Sequence, residues 1–166
     1  MPEDQNTGAG AGRSFSPADP LRPPAADLIT ATTAELEGLY GPLRGCPSVD
    51  PAELAPPDGL YLVGRAGEIA VAGGGFRPLS VGVAEIKRMY VLPDHRGRGW
   101  AGDLLAALEE AALGLGYTVA RLDTGPLQPH AQRLYEQAGY RSIADYNGNP
   151  RASFWGEKTL GTTVLP

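Results

Sequence analysis

The chain has 166 residues, 42% of them hydrophobic and 20% charged, with a formal net charge of −5. That length suits a single α/β domain with a sizeable core, and the acidity disfavours a general nucleic-acid binder, whose phosphate contacts need a basic surface. The lone cysteine, Cys46, excludes an internal disulfide and a Cys-based structural zinc site, which fits a reducing compartment.

No segment reaches the roughly 18 apolar residues that span a bilayer. Met1–Ser16 lacks the apolar centre of a secretory signal, so a cytoplasmic location and no membrane partner are expected. Residues 1–24, rich in Gly and Pro, read as a flexible tail with a short strand near Ser14–Ser16. Ala25–Tyr40 reads as a helix with Leu28, Ile29, Leu36, Leu39 and Tyr40 sharing a face, stopped by Gly41-Pro42. A loop over 41–58 follows, with a short helix around Pro51–Leu54. Leu60–Val63 and Ile69–Ala72 form a hairpin, Gly73–Gly75 marks a bulge, and Phe76–Leu79 extends the second strand. Val83–Leu92 is a strand, Gly97–Gly114 a helix with an apolar stripe from Leu104 to Ala112, and Val119–Asp123 a strand. Gln128–Ala138 is a helix, Tyr140–Ile143 starts a strand, and Ser153–Leu160 is the last. The pattern predicts an α/β fold with a mixed sheet covered by helices on both faces.

The chemistry concentrates where the strand ending at Val91 turns into a helix through Arg96-Gly-Arg-Gly-Trp-Ala-Gly102. A helix N-terminus carries unpaired N–H groups and partial positive charge, and glycines let an anion approach them. A pyrophosphate is the ligand this predicts, with Arg96 and Arg98 adding charge; a ligand-free helix entry is the alternative. The P-loop is excluded because Gly99-Trp100-Ala101 lacks its lysine and hydroxyl. Gly97, Gly99 and Gly102 satisfy the dinucleotide string G-x-G-x-x-G, but the motif sits mid-chain and no run of βαβ units follows.

Arg96-Gly-Arg-Gly99-Trp-Ala101 resembles the phosphate motif Gln/Arg-x-x-Gly-x-Gly/Ala of the GNAT superfamily of N-acetyltransferases. Ala84–Pro93 resembles that family's fourth strand, Leu122–Gly125 the end of its fifth, and His130–Tyr140 its second signature. The match spans about residues 26–160, with an acetyltransferase domain at 25–160 and a C-terminal tail at 161–166. Trp100 departs from the usual Ile or Val, and the family's N-terminal strand and second helix are hard to find in this sequence.

The resemblance implies a GNAT-like mixed, mostly antiparallel sheet and an N-acetyltransferase that uses acetyl-CoA as co-substrate, with no metal. Backbone N–H groups from Arg96 through Gly102 (Arg96, Gly97, Arg98, Gly99, Trp100, Ala101, Gly102) would hold the pyrophosphate. Met89, Tyr90 and Val91 would run beside the pantetheine arm as an added strand does; Asp123 and Thr124, beside the expected thioester, either bind pantetheine or acceptor or simply end the strand in a turn. Tyr135 matches the family's general acid, a phenol protonated at neutral pH; a core aromatic is the other reading. Glu85 is either the general base or an exposed strand carboxylate paired with Lys87 or Arg88, and a water relay would need no single base. His95 and His130 read as surface residues, Trp100 and Trp155 as core aromatics. The acceptor is an amine on a small molecule or peptide, met by the 41–58 loop, Gly73–Val83 and Tyr146–Ala152. A homodimer fits the family habit. The rival functions are an acyl-CoA-binding sensor without turnover and, on the single Arg-Gly-Arg-Gly string, an RNA binder, which a short motif in an acidic chain supports poorly.

Overall fold

The computed structural model describes residues 12–161. Seven strands form one sheet in the order β1-β2-β3-β4-β5-β7-β6. They are β1 (Arg13–Pro17), β2 (Leu60–Ala66), β3 (Ile69–Ser80), β4 (Val83–Val91), β5 (Val119–Thr124), β6 (Arg141–Ser142) and β7 (Phe154–Thr159). Every neighbouring pair is antiparallel except β4–β5. That parallel pair needs a crossover, which α2 (Trp100–Gly114) supplies; α1 (Ala25–Tyr40) and α3 (Pro129–Gln137) complete the helices.

Strand alternation assigns the two faces. On β2, Leu62 packs into the larger core with Trp100, Leu104, Leu105 and Leu108 of α2, while Tyr61 and Val63 pack into a second cluster with Ala25, Leu28 and Ile29 of α1. Helices therefore cover both faces, as the pattern of elements predicts. Three glycines in a row, Gly73–Gly75, keep β3 thin where Leu28 of α1 and Leu108 of α2 pack against it. A Cβ on Gly73 would stand 2.3 Å from the Tyr61 hydroxyl, and one on Gly74 3.3 Å from Leu108. Along α1, Leu39 faces solvent at 40% exposure, so the buried stripe is narrower than the sequence suggests.

The segment expected to be a tail through residue 24 contributes β1, which pairs with β2 from Arg13↔Ala66 to Pro17↔Leu62, and Pro20 behind it is fully buried. The short strand expected near Ser14–Ser16 is thus an integral edge strand of the sheet, running from Arg13 to Pro17. Residues 1–11 and 162–166 of the two expected tails lie outside the described residues. After α1 comes only a 3-10 turn, Pro51–Leu54, whose Asp50 carboxylate accepts from the Ala52 N–H at 3.0 Å.

Leu108 is fully buried, whereas Val81 sits exposed at the β3–β4 turn. Leu108→Ala should lower unfolding free energy by about 2–5 kcal/mol, and Val81→Lys should change it by less than about 0.5 kcal/mol; urea denaturation compares the two.

Candidate active site

The site begins where β4 and β5 part. Their pairing runs through Val83↔Val119, Ala84↔Ala120 and Glu85↔Arg121 and then stops, although β4 continues to Val91 and β5 to Thr124. β4 also bulges: Gly73 opposes Tyr90 and Gly75 opposes Lys87, so Gly74 faces both Arg88 and Met89. Arg88 takes the strain, with φ 61°, a left-handed conformation that is uncommon outside glycine and tends to persist at functional sites. A bulge bends its strand, and past Glu85 one edge of β4 is left open.

At the end of that edge, Gly97 (φ 75°) and Gly99 (φ 85°) turn the chain into α2, a backbone path that glycine follows without strain. The Asp103 N–H is bonded to the Gly99 carbonyl at 3.1 Å. The amides of Trp100, Ala101 and Gly102 ahead of it are the helix's orphan donors, and no side chain caps them. A Cβ at Gly97 would meet nothing within 4 Å, so the turn is open on its outer side. An anion fits there: the donors, the helix dipole and the clearance coincide.

The side chains around the turn serve it differently from expectation. Arg96 does not reach over the glycines; its Nε donates to the Val91 carbonyl at 2.8 Å and a terminal nitrogen donates to Glu35 at 2.7 Å. Its side chain therefore ties the turn to α1, and it occupies the Val91 carbonyl. The Trp100 side chain is core, edge-on to Phe15 with centroids 5.9 Å apart and 4% exposed, so only its amide is available to a ligand. Over its ring, at 4.4 Å, lies the guanidinium of Arg13. Arg13 also donates to Asp103 at 2.8 Å and to the Arg98 carbonyl. Strand β1 thus clamps the glycine turn from behind, a role its sequence does not announce.

Between α1, the 43–49 loop, the diverging strands and α3 lies a cavity of about 400 Å³. Tyr135, Met89, Asp123 and Thr124 line it, as do Asn149 and Arg151 of the Tyr146–Ala152 loop. Of the three regions expected to meet the acceptor, 41–58 and Tyr146–Ala152 contribute, and Gly73–Val83 does not. The α1 residues Thr32, Thr33 and Tyr40 also line the cavity; no motif marks them. Gly125 is held so closely that a Cβ would stand 2.2 Å from the Tyr40 hydroxyl.

Tyr135 is 8% exposed and packs edge-on to Tyr140 at 6.0 Å. Burial first, then the Asp123 charge, pushes its pKa up to about 12, so its hydroxyl keeps its proton across the physiological range.

Glu85 is not the exposed carboxylate of one expectation. It is 1% exposed and does not line the cavity. Arg77 Nε donates to its Oε1 at 3.0 Å, the Tyr146 hydroxyl donates to Oε2 at 2.7 Å, and Lys87 Nζ stands 3.5 Å from Oε2. Its principal partner is Arg77, across the β3–β4 pair, rather than Arg88. Lys87 in turn donates to Asp123 Oδ1 at 2.9 Å, and the amides of Asn147 and Asn149 donate to Oδ2 at 2.8 and 2.9 Å. Trp155 is half-buried rather than central to the core, and its Nε1 donates to Asn147 Oδ1 at 3.0 Å. Burial alone would raise the Asp123 pKa, but Lys87 and the two asparagines outweigh it and hold the carboxyl below its usual range. His130 is exposed and His95 half-exposed. Among the described residues, no three His, Cys, Asp or Glu side chains cluster to hold a metal.

An anion cradle at a helix start, beside an open strand edge that leads to a buried phenol, is the layout of the acyltransferase class that the two signatures resemble. Residues 29–140 match the model of the Acetyltransferase (GNAT) family. The chain is 31% identical over 144 residues to an IAA acetyltransferase of Azospirillum brasilense, covering 82% of this chain and 94% of that one. A Klebsiella pneumoniae structure assigned as an acyl-CoA N-acyltransferase superposes with a TM-score of 0.71 at 30% identity, over 90% of this chain and 98% of the other. A GNAT family acetyltransferase of Elizabethkingia anophelis with acetyl-CoA bound shares the fold at a TM-score of 0.63 and 14% identity, over 89% and 98% of the two chains. The chain belongs to the GNAT family of acetyltransferases.

Two outcomes follow. Arg13→Ala should weaken acetyl-CoA binding by about tenfold, roughly the effect of losing one charge-assisted contact, as read by calorimetry. The Asp123 contribution to stability is complete above its unfolded pKa near 4 and is lost as pH falls through the depressed folded value. Asp123→Asn should therefore cost about 3 kcal/mol at pH 7 and make stability decline less steeply in acid, as read by urea midpoints from pH 7 to 2.

Proposed function

We propose that the protein transfers an acetyl group from acetyl-CoA to an amine by direct attack in a ternary complex. The observation that carries this reading is the largely buried phenol of Tyr135 in the wall of the cavity that opens where β4 and β5 part. The co-substrate supplies an acetyl thioester. The amides of Trp100, Ala101 and Gly102 hold its pyrophosphate, and the open edge of β4 at Met89 and Tyr90 aligns its pantetheine arm as an added strand.

The amine nitrogen bonds to the acetyl carbon as the carbon–sulfur bond breaks, and Tyr135 gives its proton to the departing sulfur. The high Tyr135 pKa suits a donor that must stay protonated until the thiolate forms. The proton that the amine loses passes through solvent to the Tyr135 oxygen, which restores the hydroxyl for the next turnover. Glu85 is engaged by Arg77, Lys87 and Tyr146, so it acts as a positioning residue that holds Lys87 and the 144–152 loop. Asp123 is a positioning residue in the same network, rather than a direct contact to the co-substrate.

Tyr135→Phe should lower kcat about 100-fold while the Kd for acetyl-CoA stays within about twofold. Thiol-release kinetics over an amine panel, with calorimetry on the same variant, provides the measurement. Acetyl-CoA binding by the wild type without CoA release on any amine would replace this reading with the acyl-CoA-binding module.

A further inference from the structure

The acceptor cavity has an electrostatic character opposite to that of the whole chain. Formal charge overall is −5, yet the cationic side chains at the cavity outnumber the anionic ones. Its lining includes Lys87, Arg88 and Arg151 against Asp123 alone. The Asp123 carboxylate is committed to Lys87, and Glu85 behind it to Arg77. Arg151 spends one guanidinium nitrogen on the Gly41 carbonyl at 3.0 Å, a neutral partner.

Arg88 is left over. It is partly buried in the cavity wall, and the ion pairs of the site, Arg77–Glu85 and Lys87–Asp123, do not include it. Burial first, then the Arg77 charge, pulls its pKa below the ordinary guanidinium value. Asp123 and Glu85 attract it only at longer range, because both are paired with Lys87 and Arg77; a guanidinium with no carboxylate in direct contact among the described residues keeps a fixed fork of donors that matches a carboxylate in two bonds. The backbone indicates that this placement is built: Arg88 is the one non-glycine residue with positive φ among the described residues, at 61°, and it sits in the β4 bulge. Without the bulge, strand alternation would turn position 88 to the α2 face, behind Lys87.

We infer that the acceptor carries a carboxylate as well as its amine, and that Arg88 binds that carboxylate, with Arg151 completing the cationic wall. The acceptor class is therefore an amino acid or a similar amino-carboxylate. This rests on the proposed role of the cavity as the acceptor site. Tyr135 and Arg88 both line the same 400 Å³ space. That volume suits a small molecule, and a carboxylate anchored on Arg88 would leave the amine end free to face the open strand edge.

The test does not need turnover. N-acetyl-L-amino acids, each paired with its carboxamide, are titrated by calorimetry into the full chain with and without CoA. At least one acid should bind about tenfold or more tightly than its amide, the usual scale for a charge-assisted pair against a neutral one. Asparagine tolerates positive φ, so Arg88→Asn keeps the bulge; it should erase the acid's advantage and leave amide and CoA binding unchanged. Arg88→Lys should keep part of that advantage. If every acid binds no better than its amide, or if Arg88→Asn leaves the preference intact, the inference is overturned. Acid preference in a wild type that never releases CoA would instead sink the acetyl-transfer reading and leave the carboxylate site standing.

Discussion

The molecule depends on a single interruption, the end of hydrogen bonding between β4 and β5 after Glu85 and Arg121. Two parallel strands that separate leave one edge of β4 without backbone partners, and an extended ligand can satisfy it. The separated strands still have to be held. The Lys87–Asp123 ion pair, at 2.9 Å, spans them just beyond the last paired residues. Burying such a pair carries a desolvation cost that its attraction offsets only when the remaining lone pairs are satisfied. Asn147 and Asn149 supply those bonds on Asp123, and Glu85 lies against Lys87 from the other side. The 144–152 loop is therefore part of the strand separation as well as a cover for it.

The face of the sheet that α1 packs on divides into two halves. Under α1, Tyr61 and Val63 join an apolar cluster. Beyond it, Arg77, Glu85, Lys87 and Asp123 form a chain of charges reaching from β3 to β5. The cavity lies along this junction, with α1 hydroxyls on one side and the network on the other. A low-dielectric wall beside fixed charges strengthens any complementary charge that enters.

The glycine turn before α2 shows how a flexible sequence is held in one conformation. Its glycines permit the geometry, but they also make the open turn costly to order. Arg96 ties the turn forward to Glu35 of α1, and Arg13 ties it back through Asp103 and Trp100. Two arginines thus fix the amides in place, with their own charges engaged by Glu35 and Asp103.

Short-range signals carry the part of this protein that its sequence determines by itself. The glycine turn, the apolar stripe of α2, the Tyr135 helix and the order of elements are set by periodicity and local backbone preference, and each is legible within about fifteen residues. Tertiary structure alone decides that Glu85 pairs with Arg77, that Lys87 bridges to Asp123, that Arg13 braces a turn 85 residues away, and that, among the described residues, the site's ion pairs pass Arg88 by. The reason is register. A one-residue slip in a strand turns every side chain to the opposite face, and the β4 bulge makes such a shift at Arg88 and Met89. Which charges meet is therefore settled only when the strands have paired.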